Sequence, residues 1–268
     1  MDVVYGLGLD SILVTGCDTP ATRTACALSE QVTSDQDRRS QPGPGRRSAP
    51  DVGNHAWVPL THLTPAERRC LDLAWAALGA GSVPVGAVLL DAAGTVVATG
   101  RSRMYEPSAP APELANSLLA HAEVNALVGL DPTCRYEDHT LVTALEPCPL
   151  CVGALAMSTV GRLSYLGVDP YGGAVGLLAE TPHTARVSVQ VSGPRHDSVG
   201  RLVSALHVAF YLRRNPESHV VRVHQERRPD LVAAAHRLLA TGAQQEAQAG
   251  TPFDQAATAL LAAMEQSR

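Results

Sequence analysis

Long apolar runs and positive charge are both scarce in this 268-residue chain. No apolar stretch reaches the roughly 20 residues that a membrane-spanning helix needs. The amino terminus, MDVVYGLGLDSILVTGCD, has no basic segment ahead of its short apolar piece. The formal charge is −5 and the sequence pI is about 6.0, so the chain lacks the overall positive charge that is typical of proteins that bind long nucleic acids. We therefore expect a soluble, cytoplasmic protein that does not bind membranes.

Aromatic residues and cysteines are also few. Two Trp, six Tyr and two Phe leave most of the core to Ala, Val and Leu. The six cysteines lack the regular spacing of a disulfide framework. A Cys-x-x-Cys pair in a reducing compartment more often serves metal or redox chemistry.

The composition along the chain indicates three regions. Residues 1–55 culminate in DRRSQPGPGRRSAPDVG, which has too few apolar residues to offset the entropy of ordering it, and we expect a flexible extension. Residues 56–214 are predicted to form the main domain. Residues 215–268 are predicted to add short helices, with no chemistry of their own.

The first predicted helix follows the expected disordered region. Thr64 is a suitable N-cap, Pro65 fits the first helical position, and Glu67 completes a capping box. Gly79 is expected to end this helix.

Alternating apolar segments then predict an α/β domain. Strands are expected at Val85–Leu90 and Val96–Thr99, joined by an Asp-Ala-Ala-Gly turn. Helical patterns in LLAHAEVNALVGL and CPLCVGALAMSTV alternate with the strand patterns HTLVTAL, RLSYLGVD and ARVSVQVSG, and an amphipathic helix, DSVGRLVSALHVAFYLRR, follows. This order predicts a three-layer α/β/α fold, with crossover helices on both faces of a mixed five-stranded sheet.

Chemistry is concentrated in the segments HAE and PCPLC. Alone, Cys148 and Cys151 could be redox-active, bind a metal, or be two small core residues. His121 and Glu123 lie upstream, however, and one imidazole with two thiolates is a ligand set suited to zinc. Three protein ligands are typical of catalytic zinc. At i and i+3 on a first helical turn the two cysteines would project to one side, whereas His121 and Glu123, at i and i+2, would not share a face of a regular helix.

These motifs resemble the zinc-dependent cytidine deaminase-like superfamily, whose signature is His-x-Glu followed by Pro-Cys-x-x-Cys. VPVGAVLLDAAGTVVATG and TLVTALEPCPLCVGALAMSTVGRLSYLGVDPYGGAVG are similar to the branch containing tRNA adenosine deaminase, guanine deaminase and the riboflavin-biosynthesis deaminase domain. The resemblance covers residues 64–214. It implies a hydrolytic deaminase acting on C–N bonds of cyclic amidines, and a homodimer.

The resemblance also implies site roles. Zinc would be held by His121, Cys148 and Cys151, and Glu123 would transfer protons. The backbone N–H groups of Ala122 and Cys148 are candidates to polarise the reacting oxygen.

Further substrate contacts are suggested at five positions, each with a structural alternative. Val83, Pro84 and Val85 match a segment lining the base pocket, but could simply pack in the core. Asn125 could reach substrate or cap a neighbouring strand. Asp169 could contact substrate or shape a turn before Pro170.

Other side chains on the predicted helices are expected mainly to pack. The Phe210–Tyr211 pair, at the end of the amphipathic helix, could approach the pocket or pack in the core, and packing in the core is the expectation. Histidines such as His207 are expected at the surface or in packing.

The substrate side departs from the tRNA adenosine deaminase pattern. GRSRMY stands where an Asn is expected, and the longer EPSAPAPELANSLLA replaces a compact Asp-Pro-Thr-Ala run. The longer loop is typical of a lid over a small ligand. The excess of acidic over basic residues also disfavours a nucleic-acid substrate. We therefore favour deamination of a free, cytosine-like or purine nucleobase, nucleoside or nucleotide. The alternatives are a tRNA adenosine (A-to-I) deaminase, in which nucleic acid would be the partner, and a catalytically inactive zinc-stabilised interaction module.

Overall fold

The computed structural model describes residues 62–265, so the predicted extension at residues 1–55 lies outside the described residues. Nine α-helices and five strands occur within that range. In chain order they are α1 (Pro65–Gly79), β1 (Gly86–Leu90), β2 (Val96–Arg101), α2 (Ala122–Leu127), β3 (Thr140–Leu145), α3 (Pro149–Met157), β4 (Arg162–Gly167), α4 (Pro182–Ala185), β5 (Gln190–Ser192), α5 (Ser198–Arg214), α6 (His219–Arg227), α7 (Pro229–Ala240), α8 (Ala243–Gln248) and α9 (Phe253–Glu265). None of the helices in residues 62–265 is long and apolar enough to cross a bilayer.

The five strands form one mixed sheet in the order β2-β1-β3-β4-β5. β1 is antiparallel to both β2 and β3, whereas β3, β4 and β5 run parallel. The parallel steps need crossover connections, and α3 supplies the one between β3 and β4. Helices α1 and α5, both in contact with α9, lie on one side of the sheet, and α2 and α3, which contact each other, lie on the other. The predicted three-layer α/β/α fold is confirmed.

Helix α1 begins as its sequence predicts. The Thr64 side chain accepts a hydrogen bond from the Glu67 backbone, 3.2 Å away, and the Glu67 carboxylate accepts one from the Thr64 backbone, 2.8 Å away. The buried face of α1, which includes Leu71 and Trp75, packs against β1 and β3. This packing fixes one side of the sheet.

Helix α2 is shorter than its apolar pattern predicts. The helix begins at Ala122 because the backbone of His121 is extended, with ψ of 156°. Leu118 and Leu119 therefore remain exposed in the preceding loop. Close contact with β2 holds α2 in place, since a Cβ built on Gly100 would lie 2.3 Å from the carbonyl oxygen of Ala122.

The last strand is also shorter than expected. Only Gln190–Ser192 pairs with β4, and α4 extends to Ala185, the first residue of the predicted strand. Ser188 has a positive φ of 52°, which ends the extended conformation on that side.

Four helices follow residue 214. α7 and α9 coincide with the apolar segments in which helices are predicted. α7 packs along α5, and α8 contacts α1. The division of the chain at residues 55 and 214 remains a prediction.

Candidate functional site

Two helix starts meet at the ends of β2 and β3 and bring three metal-ligand atoms together. His121 is the N-cap of α2 and Cys148 the N-cap of α3, and neither uses its side chain to cap the helix. Cys151 follows on the first turn of α3. The Nδ1 atom of His121 lies 3.5 Å from each sulfur, and the two sulfurs are 3.5 Å apart. The sulfurs are too far apart for a disulfide bond.

The spacing of these atoms fits a tetrahedral ion. Zinc binds nitrogen at about 2.0–2.1 Å and sulfur at about 2.3 Å, so two of its donors lie about 3.4–3.8 Å apart. The three donors of His121, Cys148 and Cys151 have this mutual spacing without rearrangement. The residues present therefore fit zinc.

Glu123 lies beside the cluster and is buried, with 3% of its surface exposed. Its Oε1 accepts a hydrogen bond from Thr143 Oγ1 at 2.9 Å, and its Oε2 lies 3.2 Å from the Cys151 sulfur. His121 and Glu123 converge because His121 precedes the helix in extended conformation while Glu123 stands on its first turn. A regular helix would have separated their side chains.

The cluster shifts the acidities of its own members. Hydrogen bonding from Cys151 and from His121 lowers the pKa of the Cys148 thiol to about 4. Hydrogen bonding to Cys148 and burial raise the pKa of Cys151 well above its usual value, and the hydrogen bond with Cys148 raises that of His121. Burial raises the pKa of Glu123. These shifts favour the thiolate form of Cys148, and the buried carboxyl of Glu123 holds a proton more readily than an exposed glutamate.

A small cavity of about 140 Å³ opens onto the cluster. Its walls contain three of the five positions predicted to contact substrate, Val83, Val85 and Asp169, together with Ala122, whose backbone N–H was predicted to polarise the reacting oxygen. Pro84 is not among the residues lining the cavity, and neither is Asn125.

Asn125 instead ties two backbone segments together. Its Oδ1 accepts from the Leu114 N–H at 2.8 Å, and its Nδ2 donates to the carbonyls of Arg101 and Leu114, both at 3.1 Å. These bonds occupy the amide oxygen and both amide hydrogens. Of the two roles left open by the sequence, the geometry matches the structural one.

The long loop after β2 is held by ion pairs. Glu106 pairs with Arg101 and Arg103, and Glu113 pairs with Arg103. No residue between 105 and 120 lines the cavity in the described structure. Ser102 and Met104, at the start of the loop, line the cavity, but the longer segment that was expected to form a lid does not. Helices α5 and α6 supply another part of the wall.

Sequence reasoning identified this second wall only as the less favoured alternative for Phe210 and Tyr211. His207 and Tyr211 of α5 and Val220 of α6 line the cavity, as do Glu146 and Tyr171. Tyr211 thus approaches the cavity, whereas Phe210 packs in the core. His207 is buried, as expected, but it faces the cavity. The signal for His207 was a histidine among the mostly apolar buried residues of α5.

Comparison with known proteins matches this chain to a deaminase zinc-binding region, in agreement with the cluster of ligand atoms. The sequence pattern of the cytidine and deoxycytidylate deaminase zinc-binding region matches residues 63–166. The tRNA-specific adenosine deaminase of Bacillus subtilis is 33% identical over 134 residues, covering 47% of this chain and 76% of that protein. The chain belongs to the cytidine deaminase-like superfamily, and its relatives include nucleobase and tRNA deaminases.

Two further relatives have names that describe other activities than tRNA adenosine deamination. A tRNA(Ile)-lysidine synthase of Deinococcus radiodurans is 37% identical over 123 residues, which is 44% of this chain but only 20% of that protein. The chain thus spans about a fifth of the length of this relative. A cytosine deaminase of Candida albicans is 29% identical over 89 residues, covering 32% of this chain and 54% of that protein.

Proposed function

We propose that the protein is a zinc-dependent hydrolytic deaminase that replaces the exocyclic amino group of a nucleobase or nucleoside with a carbonyl and releases ammonia. One observation carries the proposal. The three-donor cluster and the buried carboxylate of Glu123 face the same small cavity, with Glu123 Oε2 3.2 Å from a donor sulfur.

The cofactor is assigned to His121, Cys148 and Cys151. A three-residue set with nitrogen and sulfur donors is typical of catalytic zinc. When bound, zinc would supply a Lewis acid that makes water a better nucleophile at neutral pH. The low pKa of Cys148 favours the thiolate that such binding requires.

Glu123 is assigned the proton transfers. Its carboxylate accepts a proton from water as the water oxygen bonds to the amino-bearing ring carbon, and then delivers that proton to the adjacent ring nitrogen. A second transfer through the same carboxyl moves the proton of the newly added hydroxyl to the amino group, and the C–N bond breaks to release ammonia as the C=O bond forms. The raised pKa of Glu123 suits both directions of transfer near neutral pH. The backbone N–H groups of Ala122 and Cys148 are proposed to polarise the reacting oxygen.

The cavity favours a small, uncharged substrate. Its volume of about 140 Å³ is below the ~300 Å³ at which drug-sized pockets begin. Its walls in the described residues include Val83, Val85 and Tyr211 but no arginine or lysine, the side chains that usually bind phosphate. A free base or nucleoside fits this lining better than a nucleotide.

A tRNA adenosine deaminase is the second candidate. The 33% identity to the Bacillus subtilis enzyme over three quarters of that protein favours it. The segments GRSRMY and EPSAPAPELANSLLA differ from the tRNA adenosine deaminase pattern in the region that is expected to contact the substrate. These differences favour the small substrate. Both candidates share the same metal ligands and proton carrier.

Ammonia release tests the proposal directly. The zinc-loaded protein is incubated with cytosine, cytidine, deoxycytidylate, adenine, guanine and their nucleosides, and separately with tRNA carrying a wobble adenosine. Turnover of a base or nucleoside, lost in the Glu123→Gln variant, supports the proposal. Inosine formed only in tRNA supports the second candidate. Stoichiometric zinc with no turnover of any of these substrates indicates the zinc-stabilised interaction module.

A homodimer is proposed as the assembly. Leu118, Leu119 and Met157 are large apolar side chains that are more than half exposed in the described structure, which is unfavourable in water. Sedimentation equilibrium should give twice the chain mass of 28.1 kDa. A mass of one chain across the micromolar range would refute it.

A cytoplasmic location is also proposed. The assigned ligands Cys148 and Cys151 must remain reduced thiols to bind zinc, as they do in a reducing compartment. Cell fractionation should recover the protein with cytoplasmic markers. Recovery in an oxidising compartment would contradict the assignment.

A further inference from the structure

A second cluster of metal-ligand side chains borders the same cavity, with two of its three members in the cavity wall and the third behind them. It consists of Asp169, just after β4, His207 on α5 and His224 on α6. Each offers one ligand atom, and these atoms all lie within 4.8 Å of one another. All three residues are buried, with 8%, 5% and 0% of their surface exposed.

The tautomer of His224 leaves one nitrogen without a partner. Its Nδ1 lies 2.8 Å from the carbonyl oxygen of Val220, so Nδ1 carries the hydrogen and donates it. The Nε2 atom then has a free lone pair, and it has no hydrogen-bond partner within residues 62–265. The Nδ1 atom of His207 is unpartnered in the same way. A buried polar atom left unsatisfied costs about 1–3 kcal/mol, and two in one cluster indicate that a ligand is missing.

The distances favour an ion over a direct hydrogen bond. His224 Nε2 lies 3.7 Å from Asp169 Oδ1, which is too long for a hydrogen bond. Two ligands that each lie about 2.0–2.2 Å from one tetrahedral zinc ion are about 3.3–3.6 Å apart, and the 3.7 Å between His224 Nε2 and Asp169 Oδ1 is close to this range.

The outer contacts also match those of metal ligands. Metal-bound histidines usually donate their other ring N–H to a carbonyl or carboxylate, as His224 does to Val220. Ligating carboxylates are themselves usually hydrogen-bonded, and Asp169 Oδ1 accepts the Tyr171 N–H at 2.9 Å.

The chemistry of the donors defines the class of ion. Two imidazoles and one carboxylate suit zinc and other late first-row divalent ions, whereas calcium and magnesium prefer oxygen alone. Burial lowers the pKa of His207 to about 4, so its imidazole is neutral and able to ligate at neutral pH. Glu146 lies in the same cavity wall and adds a second carboxyl group, with no arginine or lysine in the described lining to oppose a cation.

We propose that Asp169, His207 and His224 bind a second divalent transition-metal ion, for which zinc is the probe, at a site bordering the cavity and separate from the three donors of the thiolate cluster. Because Asp169 and His207 line the cavity, an ion can reach the site from solvent through it. The proposal does not depend on deaminase activity, since metal binding is measured without turnover.

Metal content separates the two sites. The full chain is loaded with zinc, dialysed, and measured by mass spectrometry of the metal. We expect two equivalents in the parent protein and one in His224→Gln, whose side chain does not line the cavity. His236→Gln is the matched control, because His236 is exposed on α7, and it should keep two equivalents.

Cobalt substitution identifies which ion is lost. The thiolate cluster gives a sulfur-to-cobalt charge-transfer band, whereas the Asp169–His207–His224 site gives ligand-field bands without it. We expect His224→Gln to keep the full charge-transfer band and lose one cobalt, which also shows that the variant is folded. One equivalent in the parent protein, or a second equivalent unaffected by both His224→Gln and Asp169→Asn, would overturn the proposal. In that case a buried water satisfies the two imidazoles.

Discussion

The carboxylate of Glu123 and the sulfur of Cys151 approach each other to 3.2 Å across the boundary between α2 and α3. The other carboxylate oxygen is bonded to Thr143 on β3, so three elements of the fold fix one acid side chain. A carboxyl group held this firmly beside a donor cluster loses little rotamer freedom when it reacts. The predictions below follow from that arrangement and from the packing that maintains it.

Replacing Glu123 with Gln should separate catalysis from metal binding. Glutamine keeps the size and the Thr143 contact but cannot carry the proton, so turnover should fall by at least about 10²-fold. Zinc content should stay at the parent level, because the donor atoms are unchanged. Steady-state ammonia release and metal analysis measure the two quantities on the same sample. Unchanged turnover would remove Glu123 from the proposed role.

Gly100→Ala should disturb the site through the backbone. A Cβ there would lie 2.3 Å from the Ala122 carbonyl and would push α2, with His121 at its start, away from the sheet. We expect a loss of about 1–3 kcal/mol in the free energy of unfolding and weaker zinc binding.

The matched control for Gly100→Ala is Gly153→Ala, on α3. A Cβ at Gly153 meets no heavy atom within 4 Å, and alanine favours the helix by up to about 1 kcal/mol. Urea denaturation and a competitive zinc chelator measure both variants. Equal stability of the two would show that α2 is not held against β2 as the structure indicates.

The stability of the metal-free protein should depend on pH through His207. Burial lowers its folded pKa to about 4, below the unfolded value of about 6.5, despite an opposing attraction from Asp169. The stability is therefore fully present above about pH 6.5 and is lost as pH falls toward 4, by up to about 3 kcal/mol. The slope in this window should flatten in His207→Gln but not in His236→Gln. Urea denaturation from pH 4 to 7, with chelator present, measures the slopes, and parallel curves for all three proteins would contradict the assignment.

Thr64→Ala should weaken the start of α1. The variant loses the hydroxyl that accepts the Glu67 N–H, which typically costs about 1 kcal/mol. Thr64→Ser keeps a capping hydroxyl and should retain the parent stability. Thermal denaturation of the three proteins compares them, and equal midpoints for the alanine and serine variants would show that the capping box does not contribute.

Local signals were sufficient to predict much of this fold. The start of α1 depends on Thr64 and Glu67, which are three residues apart, and the turn between β1 and β2 is closed by a bond from Gly94 to Asp91. The spacing of Cys148 and Cys151 likewise predicts two sulfurs on one side of a helix start. In each case the interacting groups are neighbours in the chain.

Tertiary contacts determined what the sequence did not predict. The approach of His121 to Glu123 depends on an extended N-cap residue, which the i and i+2 spacing did not suggest. The wall formed by His207 and Val220 depends on how α5 packs against β4 and α6. No short sequence motif predicts that packing. The same applies to His224, which reaches Asp169 only through the placement of α6.

Anomalous diffraction at the zinc absorption edge, on crystals of the zinc-loaded chain, tests the central claim most directly. The account predicts a strong peak about 2.0–2.4 Å from His121 Nδ1 and from the sulfurs of Cys148 and Cys151. Sulfurs joined in a disulfide, or zinc bound only at positions remote from these three atoms, would contradict it.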